Sequence, residues 1–166
     1  MSYRVTGLAI VLTGFVSTQA QESRALPAEI VTGAGVSNVL GGSSDVHWLG
    51  LLEYRFREVD WHIRPWAGMA QSEQGTRFAS AGLLYTYQAT NRLCFSAGWA
   101  PTYYHAGDGE NLGGDLQFQS FAEIGCILKN RQIVSVRFGH MSNGGFSKPN
   151  PGTETLELTY SFPLGR

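Results

Sequence analysis

The sequence predicts an all-β fold, eight antiparallel strands closed into a transmembrane β-barrel. Eight runs rich in β-branched and aromatic residues recur along it, and the connections between them alternate between short and long. After the N-terminal segment, no run approaches the roughly 18 apolar residues that a membrane-spanning helix needs.

The first residues read as an export signal. Arg4 supplies a basic start, Val5 to Val16 is an apolar run too short to span a bilayer, and Thr18-Gln19-Ala20 is a small-x-Ala cleavage site. The expected organisation is a signal peptide over residues 1–20 and a barrel over residues 21–166.

The strands follow in order. Ile30 to Val39 ends at the Gly-rich link Leu40 to Asp45, and Val46 to Arg57 ends at Glu58-Val59-Asp60. Trp61 to Ala70 precedes Gln71 to Gly75, and Thr76 to Gln88 precedes Ala89 to Arg92. Leu93 to His105 leads into the long link Ala106 to Asp115, and Leu116 to Lys129 into Asn130-Arg131. Gln132 to Asn143 runs into Gly144 to Thr153, and Glu154 to Phe162 closes the set. An even strand number puts both termini on the side of the short turns, the periplasmic side of an outer-membrane barrel.

Alternation defines two faces. Val134, Val136 and Phe138 oppose Ser135, Arg137 and Gly139, while Leu156, Leu158, Tyr160 and Phe162 oppose Thr155, Glu157, Thr159 and Ser161. In a lipocalin-like carrier the apolar face would turn inward; in a membrane barrel it meets lipid, and Arg137 and Glu157 enter a polar interior with Glu123, Arg64 and His62. Alternation does not choose between them. Trp48, Trp61, Trp66, Trp99, Tyr103, Tyr104 and Tyr160, placed mostly near strand ends as interfacial girdles are, favour the membrane form. Cys94 and Cys126 fall on adjacent strands but opposite faces, which argues against a disulfide.

The 166 residues carry a formal net charge of −1, with no basic excess to attract nucleic acid. His47, His62 and His105 lack metal-ligand spacing, and Asp108, Glu110 and Asp115 do not match a calcium loop, so neither metal nor cofactor is expected.

The chemistry gathers near the end of the chain. His140 and Ser142 continue the apolar face beyond Phe138, and Glu154 begins the corresponding face above Leu156. If Ser142 pairs opposite Glu154, His140 lies diagonal to it, with roughly 5 to 8 Å between neighbouring Cβ atoms. A lone His-x-Ser on a strand is ordinarily interfacial polarity. With a carboxylate on the same face, His140 is placed to act as base for Ser142, Glu154 to orient the imidazole, and Asn143 with the Gly144 and Gly145 N–H groups to hold an oxyanion. Ester hydrolysis is the chemistry implied.

The run His140-Met141-Ser142-Asn143-Gly144-Gly145, followed by Lys148-Pro149-Asn150, Gly152 and Glu154, resembles the PagL family of outer-membrane lipid A 3-O-deacylases. The resemblance is sharpest over Arg137 to Phe162. It implies removal of the ester-linked 3-hydroxyacyl chain at position 3 of lipid A, with Ser142 as nucleophile, His140 as base, Glu154 as orienting acid and Asn143 at the oxyanion site. Lipopolysaccharide is then the substrate and the outer membrane the location; a homodimer is compatible with the sequence but not specified by it. A non-enzymatic small barrel, serving adhesion or membrane stability, shares the strands but has no reason to align these three groups.

Overall fold

The computed structural model describes residues 25–41 and 46–165. The expected signal peptide, residues 1–20, lies outside them.

Eight strands form: β1 (Ala28–Ser37), β2 (His47–Arg55), β3 (Ile63–Ser72), β4 (Arg77–Gln88), β5 (Leu93–His105), β6 (Leu116–Ile127), β7 (Ile133–Ser142) and β8 (Thr153–Leu164). Each pairs antiparallel with its neighbours in chain order, and β8 returns to β1, closing the barrel. No helix among the described residues is long and apolar enough to cross a membrane. The upper end carries the connections at 38–46, 73–76, 106–115 and 143–152; the lower end carries 56–62, 89–92, 128–132 and both barrel termini.

Two connections differ from expectation. Trp61 and His62 have φ of 48° and 64°, values that a strand excludes, so they belong to a wider turn over 56–62 closed by an Asp60–Ile63 bridge. His62 therefore does not enter the barrel interior; its Nδ1 lies 3.2 Å from Glu58 Oε1, at the lower rim. At the upper end Gln71 and Ser72 extend β3, and the Ser72 N–H donates to Thr76 O at 2.9 Å, which shortens the expected loop to a tight turn.

Alternation resolves as a membrane barrel requires. Leu52, Met69, Leu83, Trp99, Ile124, Val136, Phe138, Leu156 and Leu158 are exposed on the outside, while Glu53, Arg55, Glu123, Arg137 and Glu157 are buried inside. Glu123, Arg137 and Glu157 are direct cross-strand partners on β6, β7 and β8. Arg137 Nε donates to Glu123 Oε1 at 2.7 Å, and Nη2 donates to Glu53 Oε2 at 2.8 Å. Its guanidinium also lies 4.2 Å above the centre of the Phe121 ring, which packs edge-on against Trp66. Arg55 Nη2 donates to Glu123 Oε1 at 2.7 Å, extending the network. Buried charges persist only when paired in this way. Gly98 leaves the space that the Phe121 ring fills.

This interior excludes the lipocalin-like alternative, because mid-height is filled by ion pairs and aromatic rings rather than by an apolar ligand cavity. Lower down, Arg64 Nη1 lies 3.3 Å from Glu29 Oε2 and donates from Nη2 to Pro27 O at 2.7 Å. Above the network a cavity of about 240 Å³ opens among Asn38, His47, Thr76, Tyr104 and Thr155.

The aromatic girdle is narrower than expected. Trp66 and Tyr104 point inward and are buried, Trp66 Nε1 donating to Leu83 O at 3.3 Å, whereas Trp48, Trp61, Trp99 and Tyr103 face out. Cys94 is buried and Cys126 exposed, both free, on opposite faces of β5 and β6.

Candidate active site

His140 and Ser142 end β7 on its outward face, with Phe138 and Val136 below them and Met141 turned into the barrel. The β7–β8 register places His140 directly opposite Glu154, two residues from the pairing assumed from sequence. The expected diagonal contact is thus a direct one: His140 Nδ1 lies 3.0 Å from Glu154 Oε1. The imidazole is about half exposed and the carboxylate more sheltered, with side-chain accessibilities of 46% and 21%.

Ser142 sits just above the last β7–β8 pair, Met141 with Thr153, and is half-buried. Its partner on the other side is Phe118 of β6. Among the described residues no hydrogen bond joins Ser142 Oγ to the imidazole. His140 Nε2 stays open on the same face, two residues along the strand from the hydroxyl. In ester hydrolases such bonds are often long before substrate binds.

Phe118 forms the middle of an aromatic shelf beside the serine. It stacks on Trp99 at 5.9 Å between ring centres, and the exposed Phe146 lies 5.8 Å away on its other side. Along β7 and β8 the outward surface below His140 is wholly apolar, through Phe138, Leu156, Val136 and Leu158. A long acyl chain fits such a surface by burying its methylenes.

The 143–152 loop is built around Asn143. Its side-chain amide donates to Leu112 O at 2.8 Å, Pro149 O at 3.0 Å and Ser147 Oγ at 3.0 Å, and its Oδ1 accepts from the Gly145 N–H at 2.8 Å. Its own N–H donates to Asn150 Oδ1 at 3.0 Å. Ser147 Oγ also donates to Gly113 O, tying this loop to the one at 106–115.

The Asn143 amide is therefore not available to an oxyanion. It points into the loop, opposite to Ser142, and its donors are spent on carbonyls. The Gly145 N–H is likewise taken. Gly144, with φ of 64°, has an N–H that makes no hydrogen bond among the described residues, and a Cβ there would lie 3.4 Å from the Phe118 ring, whose cross-strand partner is Ser142. Of the three expected donors, Gly144 is the one left free.

Asn150 and Gly152 lie in the run that carries the family resemblance, but their parts were not legible from it. Asn150 is the acceptor that holds Asn143. Gly152 has φ of 71°, and a Cβ there would lie 3.0 Å from His140 Cε1. A glycine two residues before the acid of a histidine–acid pair was the available signal.

A family model described as Lipid A 3-O-deacylase (PagL) matches residues 40–163. The lipid A deacylase PagL of Bordetella bronchiseptica is 27% identical over 99 residues, 58% of this chain and 56% of that protein. The lipid A deacylase PagL of Pseudomonas aeruginosa is 40% identical over 55 residues, 33% of this chain and 32% of that protein. The matched stretches thus span about half or less of these curated relatives. The crystal structure of the outer membrane enzyme PagL superposes with a TM-score of 0.65 and 25% identity, covering 82% of this chain and 99% of that one.

Proposed function

Because the chain belongs to the lipid A 3-O-deacylase (PagL) family, we propose that it is an outer-membrane ester hydrolase that removes the 3-hydroxyacyl chain esterified at position 3 of lipid A. The observation that carries this reading is the His140–Glu154 pair at 3.0 Å on the lipid-facing side, with Ser142 two residues along the same strand.

In this mechanism His140 Nε2 takes the Ser142 proton as Oγ attacks the ester carbonyl. Glu154 accepts the Nδ1–H, fixing the tautomer and stabilising the imidazolium. The tetrahedral oxyanion is held by the Gly144 N–H. Collapse breaks the bond to the sugar oxygen, which His140 protonates, leaving the acyl group on Ser142. Water then attacks that acyl group, His140 taking its proton, and the 3-hydroxy acid departs with Ser142 restored.

Placement supports the substrate. With the upper end outward, the site lies at the outer-leaflet rim, where the acyl esters of lipopolysaccharide sit just below the headgroups. The aromatic shelf and the apolar strand surface then receive the chain without lifting the lipid into water. His140, Ser142 and Glu154 all come from one chain, so a homodimer is not needed to complete the site. Asn143 serves by shaping the loop that presents Gly144.

Mass spectrometry of lipid A from a Gram-negative host expressing the wild-type chain or Ser142→Ala tests the reading. Loss of one 3-hydroxyacyl mass with the wild type alone is the expected result. Unchanged lipid A in the presence of a folded wild-type barrel overturns it in favour of a non-enzymatic barrel.

A further inference from the structure

We propose that a second lipopolysaccharide molecule docks, without being hydrolysed, on the outer face of β2–β5, one acyl chain in a groove floored by Ala79 and a lipid A phosphate on Arg77. The inference rests on the outer-membrane placement above but not on the catalytic assignment.

The register builds this surface row by row. Gly50, Gln71, Arg77 and His105 are successive cross-strand partners on β2, β3, β4 and β5, forming a polar row at the upper edge. One step down, Leu52, Met69, Ala79 and Tyr103 form an apolar row on the same outward face. Ala79 is the low point between Met69 and Tyr103, and the next row continues the dip with Ala67 opposite Ala81. The result is an open groove of about 470 Å³ beneath a cation.

Arg77 is exposed, and its guanidinium makes no ion pair or hydrogen bond among the described residues. The nearby acid Glu73 is engaged elsewhere, its Oε1 accepting from the Trp48 N–H at 3.2 Å and lying 3.6 Å from His47 Nδ1. A planar cation directly above a chain-wide apolar slot, at the height where strands give way to loops, complements a phosphorylated headgroup with acyl tails. A second copy of this chain fits less well. A two-fold contact centred on the groove would bring two Arg77 guanidinium groups to the same membrane depth, like charge against like.

This face is distinct from the catalytic one. The groove centres on β3 and β4, and the site on β7 and β8, half a turn around the closed ring. Substrate in one does not cover the other.

Native mass spectrometry of the Ser142→Ala protein in detergent, titrated with bis-phosphorylated lipid A, tests the proposal, with heat-modifiable migration as the check on folding. Two lipid additions are expected. Arg77→Glu and, separately, Ala79→Trp should each weaken one addition by about tenfold, the loss of a charge-assisted contact or of the space for a chain. Arg92→Glu, at the lower turn, should leave both. Dephosphorylated lipid A and phosphatidylethanolamine should bind the groove at least tenfold more weakly. Equal binding of these lipids overturns the proposal in favour of ordinary annular lipid, and loss of a dimer peak without loss of lipid identifies a second copy as the occupant. Unaltered binding in both groove variants also overturns it. In the Ser142 background, Arg77→Glu should still deacylate. An inactive wild-type protein that keeps the groove addition would count against the catalytic reading alone.

Discussion

His140 and Glu154 stand as direct cross-strand partners, imidazole Nδ1 to carboxylate Oε1 at 3.0 Å, on the outside of a barrel whose other charged pairs are inside it or at its rims. A neutral amide at 154 keeps the size of the side chain but no longer stabilises an imidazolium. Glu154→Gln is therefore expected to lower lipid A deacylation by about 10² to 10⁴, and Ser142→Ala to reduce it to background. Because the groups act as a unit, adding His140→Ala to Ser142→Ala should cost nothing further. Initial rates on purified lipid A, followed by mass spectrometry, check both statements.

Gly152, the last loop residue before β8, leaves room for the imidazole. Gly152→Ala places a Cβ 3.0 Å from His140 Cε1 and forces an L-residue into a φ of 71°, a backbone cost of about 1 to 2 kcal/mol. The ring must give by a few tenths of an ångström, and kcat is expected to fall by up to about tenfold while KM stays near wild type. Unchanged kcat would mean that the ring position does not limit the reaction.

Asn143 is expected to act through the loop. Asn143→Ala removes the amide that gathers Leu112 O, Pro149 O and Ser147 Oγ, leaving Leu112 O with only a 3.4 Å contact from Gln117 and the other two without this donor, a loss of about 1 to 3 kcal/mol in all. Limited proteolysis should then cut within 143–152, and activity should fall, while the strands still migrate as a folded barrel. Ser147→Ala, which leaves the Leu112 and Pro149 contacts in place, should produce a weaker form of both effects.

Arg137 is the centre of the interior network. Arg137→Met leaves Glu53, Glu123 and Glu157 buried without their main partner, and urea unfolding in detergent should show a loss of about 3 to 5 kcal/mol. Arg137→Lys keeps the charge but loses the planar fork that reaches Glu53 and Glu123 together, so an intermediate loss is expected.

Much of this was written in the alternation of the strands. Arg137 and Glu157 at odd positions between apolar even ones specify the two faces, and the Gly-rich connections specify the turns. Register was not legible, since a shift of two residues keeps every side chain on its face; only the closed ladder shows that His140, rather than Ser142, meets Glu154. The role of Asn143 was hidden because its partners are mostly backbone carbonyls, which every residue carries. The turn at Trp61 and His62 was hidden because a bulky residue at positive φ leaves no mark in composition.

The stack of Trp66, Phe121 and Arg137 across the lumen has a consequence for the cell. A β-cylinder of this kind is a hazard in a permeability barrier, because an open lumen would admit ions and small antibiotics. Here the lumen is stoppered at mid-height, and the proposed chemistry sits on the outer wall. Overproduction should therefore leave planar-bilayer conductance at baseline and vancomycin sensitivity unchanged in a Ser142→Ala strain, whereas removing Phe121 and Arg137 together should open a leak.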